Sequence, residues 1–470
     1  PVYPEQRVRI PKGRWLMSPV DTQVSALDDL IARERRSFLD RAPQATEMGD
    51  RAGRSLAGGV TSSWQISDPQ PIWIDRGLGS RVWDVDGNEY VDLHGGYGAM
   101  LAGHAHPAVV AAVSERVRKG THFAQPTADA IVVAEELTRR YGMTMWRFGN
   151  SGTEATMDAV HLMRAITGRD LIIKFEGGYH GHHDSVMVSV WNEDGLGSAT
   201  QPKSVAAGGG IPQAIVELTL VAPFNDLDVV SQLLVANEGR IAGVIVEPIL
   251  QNCGILLPQP GFLQGLRDLT RKHDALLTFD EVKTGLTVGK GGATRRFGVQ
   301  PDMVCLAKAL GGGLPISAIG GTDDVMSHIV DGTYEQVGTF NGNPLSIAAA
   351  KAMLTEVMVE ETYEHLDRIQ SRMEKGANEV VGRHHLTAHV ATAGAKGSVI
   401  YSAEPMRTYR DFLAVDGRYA QAAWLYQYNR GVFLPPWGKG EQWLLSVQHT
   451  VEDVDRYLET LDAFASAFRV

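Results

Sequence analysis

The chain has 470 residues, of which 44% are hydrophobic and 21% charged, a composition typical of a soluble globular protein. This length is too great for one compact core, so we expect two or three domains that share an extensive interface. The net charge of −11 argues against a nucleic-acid or anionic-membrane role, because such roles leave a basic footprint. No stretch approaches the roughly 18 uncharged apolar residues that a membrane-spanning helix needs.

The N-terminal segment and the cysteines bear on location. PVYPEQRVRIPKGRW lacks the apolar stretch of a secretory signal. The two cysteines, Cys253 and Cys305, are too few for a disulfide framework or a cysteine zinc site. We therefore expect a cytoplasmic, reducing location, with both thiols as small buried hydrophobes.

The first predicted elements are helices and a hairpin. An amphipathic helix is predicted over 23–43, and a hairpin over 80–93 turns at Asp86-Gly87. Asp84-x-Asp86-Gly87 resembles part of a calcium loop, but the glycine is too early and no glutamate follows at the twelfth position, which favours the hairpin. A further helix opens at Pro107 and closes at Lys119-Gly120.

Farther along, near-continuous apolar strands alternate with an amphipathic helix. Strands are predicted over 241–248, 275–281 and 302–308, and the helix over 262–273. Apolar strands of this kind are buried on both faces, as in βαβ units. The sequence therefore predicts an α/β fold with a mostly parallel central sheet flanked by helices.

From about residue 346 the pattern becomes that of a smaller α+β unit. Its predicted helices and short strands cover 350–377, 451–467, 397–402 and 443–447. We predict three parts: an N-terminal segment with a helix and hairpin over 1–105, a large domain over 106–345, and a small α+β domain over 346–470.

Charged residues end three of the predicted strands. Glu247, Asp280 and Lys308 each follow an apolar run, with Glu281 directly after Asp280. Ligands of open parallel sheets bind at the carboxyl ends of the strands, so an acid and a lysine meet in one crevice if these strands are neighbours. Each residue alone is more often a helix cap or a surface ion-pair partner. Three together favour a ligand site.

Small polar residues lead into a helix within 148–168. The N–H groups at a helix start, together with the hydroxyls of Ser151 and Thr153, suit a phosphate. Ser151-x-x-Glu154 is just as consistent with a plain capping box. The sequence alone therefore leaves both a phosphate site and a plain capping box open.

Two other stretches resemble ligand-binding motifs without matching them. GLTVGKGGAT at 285–294 has neither the spacing nor the Ser/Thr of a nucleotide P-loop, and no G-x-G-x-x-G follows a strand. YHGHHD at 179–184 places three histidines in a loop without helical or hairpin ligand geometry, and no cysteine joins them. We therefore predict no metal site.

A series of motifs runs in order through nearly the whole chain. It comprises GGV (58–60), WDVDGNEYVDL (83–93), GYGAMLAGHAHP (96–107), NSGTEATMDAVHLMRAITGRDLIIKFEGGYHGHHD (150–184), VEPILQN (246–252), FDEVKTG (279–285), LAKALGGGLPISAIGG (306–321), GTFNGNPLS (338–346) and GVFLPP (431–436). Together these motifs resemble the class III pyridoxal-phosphate aminotransferases, most closely their glutamate-1-semialdehyde aminomutase branch.

The resemblance implies a fold-type I enzyme and a cofactor role for named residues. It implies that Lys308 forms a Schiff base with the aldehyde of pyridoxal 5′-phosphate and then moves the substrate proton as acid and base. It implies that Asp280 pairs with the pyridine nitrogen, which keeps the ring electron-withdrawing. The other implied cofactor contacts are Val282 and Tyr179 on the ring faces, Asn252 near the hydroxyl, Ser151, Gly152 and Thr153 at the phosphate, and Thr339 from the second subunit of a homodimer.

The substrate side departs from the aminomutase pattern. Five positions after GGV, the arginine that grips the substrate carboxylate in that branch is Gln65 here, which cannot form a charge-assisted bidentate pair. The pocket aromatic is Tyr97 rather than tryptophan, and Lys283 follows DEV in place of glutamine. Trp64 and Tyr97 lie where an aromatic ring of the substrate could pack. Glu441 corresponds to the acidic gate of the aminomutase branch.

We therefore predict a homodimeric, cytoplasmic aminotransferase that works by ping-pong transfer. Its donor is an amino acid or amine, including β- and ω-amino compounds with an aromatic or apolar part, and its acceptor is a ketone or aldehyde. One alternative is an aminomutase or racemase that returns the amine or proton to the same carbon skeleton. Another is a non-catalytic cofactor-binding protein, against which the pair of Lys308 and Asp280 argues.

Overall fold

The structure is a computed structural model that describes residues 19–436, 438–440 and 442–467. Its strands are β1 Ile74–Leu78, β2 Arg81–Asp84, β3 Glu89–Asp92, β4 Met145–Gly149, β5 Leu171–Phe175, β6 Thr219–Ala222, β7 Ile241–Val246, β8 Leu276–Asp280, β9 Met303–Leu306, β10 Ser317–Gly321, β11 His389–Ala393, β12 Lys396–Ile400, β13 Val432–Phe433 and β14 Trp443–Leu444. Its α-helices are α1 Pro19–Asp40, α2 Pro43–Ala52, α3 Gly95–Gly98, α4 Pro107–Val117, α5 Asp129–Tyr141, α6 Gly152–Thr167, α7 Gln213–Val216, α8 Leu227–Ala236, α9 Phe262–Lys272, α10 Gly292–Phe297, α11 Asp323–Val330, α12 Pro344–Ala352, α13 Glu360–Arg383, α14 Tyr409–Leu413, α15 Gly417–Tyr428 and α16 Val451–Ala467.

A seven-stranded sheet in the order β4-β10-β9-β8-β7-β5-β6 forms the centre of the molecule. Neighbours pair in parallel from β9 to β6, whereas β10 is antiparallel to both β4 and β9. The predicted α/β fold with a mostly parallel sheet is confirmed. Strand β10 was not predicted, because its sequence SAIGG is too rich in small residues to stand out as a strand.

Burial on both faces explains the apolar strands. In β7, Ala242 and Ile245 join a core that includes helix α6, while Val244 and Val246 join the core on the other side, which includes α9. Fully burying each large aliphatic side chain is worth about 1.5–3 kcal/mol. A strand with such side chains on both faces reads as a continuous apolar run.

The three strands with charged ends are neighbours in the order β9-β8-β7. They run parallel, and Asp280 at the end of β8 stands opposite Cys305 in β9. Their carboxyl ends therefore open onto one edge of the sheet, where Asp280 ends β8 and where Glu247 and Lys308 follow β7 and β9.

Two smaller sheets join distant parts of the chain. One has the order β1-β2-β3-β13, in which the C-terminal strand β13 pairs in parallel with β3. The other has the order β11-β12-β14. Helix α1 packs on α15 and contributes Leu27 and Leu30 to a core shared with Phe464 of α16. The two ends of the described chain therefore lie together.

Two predicted helices are divided in the structure. The helix predicted over 23–43 ends at Asp40, and Pro43 opens α2, since proline is suited to the first helical turn but not to a helix interior. The helix predicted over 350–377 is three pieces, because the π-helical turn Met353–Val357 follows α12 and non-helical backbone precedes α13. Within the described ranges, no helix is long and apolar enough to span a bilayer.

Candidate active site

A cavity of about 130 Å³ lies at the carboxyl ends of β7, β8 and β9. Strand ends, the start of α6 and the loop after β5 supply its lining. The lining residues are Gly152, Thr153, Tyr179, His180, Gly181, Glu247, Asn252, Asp280, Val282, Lys283 and Lys308. Most of the predicted cofactor residues therefore surround one cavity.

Lys308 stands just beyond β9, at the first position of the 3-10 turn Lys308–Gly311. Its φ of 48° lies in the left-handed region, where a non-glycine residue costs about 1–3 kcal/mol and persists only if the surroundings enforce it. Gly312 and Gly313 follow with φ of 55° and 103°. These two positions need glycine for the chain to turn sharply away from the cavity.

Asp280 is nearly fully buried, with 3% of its surface exposed. Its Oδ1 accepts a hydrogen bond from the Val282 N–H at 3.0 Å, and its Oδ2 lies 2.8 Å from Nδ1 of His180. Because a carboxylate only accepts, Nδ1 of His180 carries the proton of that bond. Its other ring nitrogen, Nε2, is buried and has no hydrogen-bond partner among the described residues. His180 therefore holds the carboxylate in place.

Glu247 organises the opposite wall. Its Oε1 accepts hydrogen bonds from the Tyr179 N–H at 2.9 Å and from Nδ2 of Asn252 at 3.0 Å. The Oδ1 atom of Asn252 is buried without a hydrogen-bond partner in the described part of the chain. Since Asn252 lines the cavity, this orphaned acceptor is suited to a donor group of a bound ligand.

The start of α6 has the features of both a helix cap and an anion-binding site, the two interpretations that its sequence allows. Ser151 Oγ accepts from the Glu154 N–H at 3.3 Å and so caps the helix, while the Glu154 carboxylate accepts from Asn150. Gly152 and Thr153 occupy the first two helical positions, whose N–H groups have no partner within the helix, and both line the cavity. A cap and an anion cradle therefore coexist.

Close packing fixes this cradle. A Cβ on Gly152 would lie 2.9 Å from Cγ1 of Val282, and one on Gly181 would lie 2.6 Å from Cα of Thr153. Gly181 also has a φ of 102°. Both glycines are required where the loop after β5 and the residue after Asp280 press on the helix start.

Four aromatic side chains form a cluster at Tyr179: Trp64, Tyr97, Tyr179 and Trp191. Trp64 makes edge contacts with the other three at centroid distances of 5.2–5.9 Å, and Tyr179 stacks with Trp191 at 5.4 Å. The Tyr97 hydroxyl donates to the Trp64 carbonyl at 2.8 Å. Burial, and secondarily the Asp280 charge, raises the pKa of Tyr179, so its hydroxyl stays protonated. This aromatic cluster offers ring faces and edges beside the cavity.

The remaining residues that the sequence analysis singled out are Gln65, Lys283, Thr339 and Glu441. Gln65 is exposed, and its Oε1 accepts from the backbone and hydroxyl of Thr61 at 3.1 and 2.7 Å. Lys283 donates to the Gln251 carbonyl at 2.9 Å. Thr339 is exposed on the segment before α12, and Glu441 lies outside the described residues.

Sequence reasoning missed two members of this site. In the sequence, His180 stands out only as part of a histidine-rich loop, because its pairing with Asp280 joins residues 100 positions apart. Trp191 lies outside all the sequence motifs given above. The position of His180 directly after Tyr179 was the one signal that pointed to the site.

The family model for class III aminotransferases matches residues 64–461, and the chain belongs to this family. A glutamate-1-semialdehyde 2,1-aminomutase from Syntrophobacter fumaroxidans is 39% identical over 422 residues, which cover 89% of this chain and 95% of the relative. Among solved structures, an omega-transaminase from Sphaerobacter thermophilus has a TM-score of 0.87 at 32% identity, covering 91% of this chain and 98% of its own. A glutamate-1-semialdehyde-aminomutase from Pseudomonas aeruginosa PAO1 in complex with PMP also has a TM-score of 0.87, at 29% identity, covering 95% of this chain and 99% of its own.

The chain is therefore a fold-type I enzyme that uses pyridoxal 5′-phosphate, and the predicted family and cofactor are confirmed. The lining of the cavity fits this cofactor. A buried carboxylate suits the pyridine N–H, the orphaned oxygen of Asn252 suits a hydroxyl, and the N–H groups at the start of α6 suit a phosphate. Both aminomutases and transaminases are among the similar proteins, so the reaction type is a separate question.

Proposed function

We propose that this enzyme is an aminotransferase with ping-pong chemistry. Its donor is an amine or amino acid, of β- or ω-amino type, that carries an aromatic or apolar part, and its acceptor is a ketone or aldehyde. The observation that carries the proposal is the aromatic cluster beside a cavity that also holds Lys308 and Asp280. Similarity to an omega-transaminase supports it.

Lys308 and Asp280 carry the chemistry in this proposal. When bound, the cofactor supplies a protonated ring that withdraws electrons from the substrate carbon. Asp280 keeps the proton on the ring nitrogen, and His180 holds Asp280 in position. The Lys308 amine holds the cofactor and moves the proton at the substrate carbon.

The proposal gives the remaining roles to residues in and around the cavity. Tyr179 and Val282 would flank the ring, and Asn252, whose Oδ1 is buried without a hydrogen-bond partner among the described residues, would accept from its hydroxyl. Ser151, Gly152 and Thr153 hold the phosphate at the start of α6. Trp64 and Tyr97 would receive the apolar part of the substrate, and Gln65 and Glu441 remain candidate substrate residues from the sequence.

A homodimer is part of the proposal. Thr339 is exposed between Val337 and Phe340, whose exposed fractions are 81% and 58%. Neighbouring Asn341 accepts a hydrogen bond from Asn150, beside the helix start, at 3.1 Å. An exposed apolar segment so close to the start of α6 supports a subunit interface next to the cavity, and the family resemblance assigns Thr339 to the partner's site across that interface. The buried free thiols of Cys253 and Cys305 support a reducing, cytoplasmic location.

A donor panel tests the proposal. Holoenzyme is mixed, without acceptor, with β-amino acids, ω-amino acids and arylalkylamines, while cofactor absorbance and products are followed. We expect donors with an aromatic part to change the absorbance and release one keto product per active site. An amino product isomeric with the substrate would instead establish the alternative, an aminomutase reaction. The 39% identity to an aminomutase favours this alternative. No response to any donor would support the non-catalytic alternative.

A further inference from the structure

Arg410 of helix α14 lies outside the cavity, yet it binds both ends of the segment 176–198, which follows β5. At the first end, its Nε and Nη2 donate to the two oxygens of the Glu176 carboxylate at 3.0 and 2.8 Å. At the other end, its two Nη atoms donate to the backbone carbonyls of residues 196–198 at 2.9–3.2 Å. The rigid fork of the guanidinium, with its five N–H donors, lets one side chain make all of these bonds.

Glu176 attaches this arrangement to the central sheet. It directly follows β5, and its N–H donates to the carbonyl of Ala222 in β6 at 3.0 Å. Its side chain is fully buried, so its carboxylate is stable there only when a cation and hydrogen-bond donors compensate for the lost water. The bidentate pair with Arg410 supplies both, and it connects the far end of the segment to the sheet.

Tyr409, the residue before Arg410, presses on the same segment. A Cβ on Gly177 would lie 2.3 Å from Cδ2 of Tyr409, and the φ of Gly177 is 73°. The Tyr409 hydroxyl donates to the Asn192 carbonyl at 3.1 Å. A capping box closes the start of α14 and fixes the helix that presents both side chains. Helix α14 therefore contacts the segment near its start, at its middle and near its end.

The segment that α14 holds supplies one wall of the cavity. Tyr179, His180 and Gly181 all line the cavity and follow Glu176 by three to five positions. Trp191, farther along the segment, stacks on Tyr179 at a centroid distance of 5.4 Å. Displacement of either end of the segment would therefore move side chains that face the cofactor site.

We propose that Arg410 is a positioning residue for the cofactor. It holds the segment 176–198 on the sheet, so that Tyr179 keeps its place beside the cofactor ring and Gly181 keeps its place against the start of α6. The inference rests on the cofactor contacts of the proposed function and extends them to a residue that touches neither cofactor nor substrate. A residue that served stability alone would change the free energy of unfolding and leave the bound cofactor as it is.

Cofactor titration of the apoenzyme tests the inference. We expect Arg410→Met to raise the dissociation constant of pyridoxal 5′-phosphate about tenfold, because an aromatic ring that has moved loses its contact with the cofactor. The circular dichroism of the bound cofactor should weaken as well. Since Arg410→Met leaves the buried Glu176 without its partner, Glu176→Met/Arg410→Met is the second variant. It contains no unpaired charge, so it should fold with near-native stability and show the same loss of cofactor affinity.

The matched control is Arg430→Met. Arg430 binds both oxygens of the buried Glu34 at 3.0 and 3.3 Å and the Tyr426 carbonyl at 2.7 Å, so it makes the same kind of bidentate pair. That pair joins the end of α15 to α1, and neither partner lines the cavity. Arg430→Met should lower the free energy of unfolding, as Arg410→Met does, but leave the cofactor affinity and the circular dichroism unchanged.

Three results would overturn the inference. They are native cofactor affinity and circular dichroism in Arg410→Met, a return of native affinity in the double variant, and an equal loss of affinity in Arg430→Met. The proposed function is judged separately by the donor panel on the native holoenzyme. If that panel releases no keto product while the variants change the cofactor as expected, the proposed function fails and the role of Arg410 stands.

Discussion

At the scale of single residues, the site depends on pairs that hold reactive groups in place. His180 holds Asp280, and Glu247 holds both Asn252 and the backbone of Tyr179. Hydrogen bonds to charged groups contribute about 1.5–3 kcal/mol each, so these supporting residues matter even where they touch no substrate.

The bond between His180 and Asp280 leads to a prediction. His180→Phe keeps an aromatic ring but removes the Nδ1–H, so Asp280 loses its partner and holds the proton on the ring nitrogen less well. We expect kcat for the best donor of the panel to fall about 10- to 100-fold and the absorption maximum of the bound cofactor to shift. Stopped-flow and absorption spectroscopy measure both quantities.

His182→Phe is the matched control, because His182 is exposed two positions away. It should leave kcat and the spectrum unchanged. Full activity with an unshifted spectrum in His180→Phe would show that His180 does not position Asp280.

At the scale of elements, the ends of the parallel strands position the reactive side chains, and the start of α6 is suited to the phosphate of the cofactor. Strands β7, β8 and β9 end side by side, so residues from three distant segments reach one cavity. The N-terminal turn of α6 packs against Val282 and the loop at Gly181 so closely that neither Gly152 nor Gly181 has room for a side chain.

Gly181 is the most sensitive point of this packing. In Gly181→Ala, the new Cβ meets Cα of Thr153 at 2.6 Å in a backbone conformation with φ of 102°. We expect the free energy of unfolding to fall by about 1–3 kcal/mol and the affinity for pyridoxal 5′-phosphate to fall with it, because Thr153 is displaced. Denaturant titration and cofactor titration of the apoenzyme measure the two effects.

Gly208→Ala provides the comparison, since no atom lies within 4 Å of the Cβ position there. It should change stability by less than about 0.5 kcal/mol. Equal behaviour of the two variants would mean that the loop is not tightly packed on α6.

The elements also show what sequence can predict. The strands β7, β8 and β9 were predicted because burial on both faces leaves a continuous apolar run. Strand β10 and the break between α12 and α13 were not, since glycine-rich pairing and a π-helical turn leave no periodic signal.

The residues of the site likewise divide into those that the sequence predicts and those that it does not. Lys308 and Asp280 stand at strand ends within motifs, so the sequence predicted both. The role of His180 depends on a partner from a distant segment, and such a pairing follows from the topology rather than from local spacing.

At the scale of the whole molecule, the chain ends and the small sheet close the site. Strand β13 extends β3, and β14 binds the turn that leads to Gly98. The large sheet supplies the strand ends that line the cavity, whereas the small sheet places Lys396 against Gly98.

The proposed dimer is tested at this scale. The native enzyme should sediment at twice the chain mass of 51.1 kDa. Val337→Asp places a charge on the exposed segment that carries Thr339, so we expect dissociation and about a tenfold loss of cofactor affinity. Val235→Asp, on the 60% exposed Val235 of α8, should do neither. A native monomer, or a Val337→Asp dimer with unchanged affinity, would contradict the proposal.

The most direct test of the account is to locate the covalent attachment of the cofactor. The native holoenzyme is reduced with borohydride, digested and analysed by mass spectrometry. The account predicts one modified peptide, with the pyridoxyl group on Lys308, and no modified peptide from Lys308→Ala. A pyridoxyl group on Lys283 or Lys396 in the native enzyme, or on any lysine of Lys308→Ala at native yield, would contradict the assignment of Lys308 as the residue that holds the cofactor.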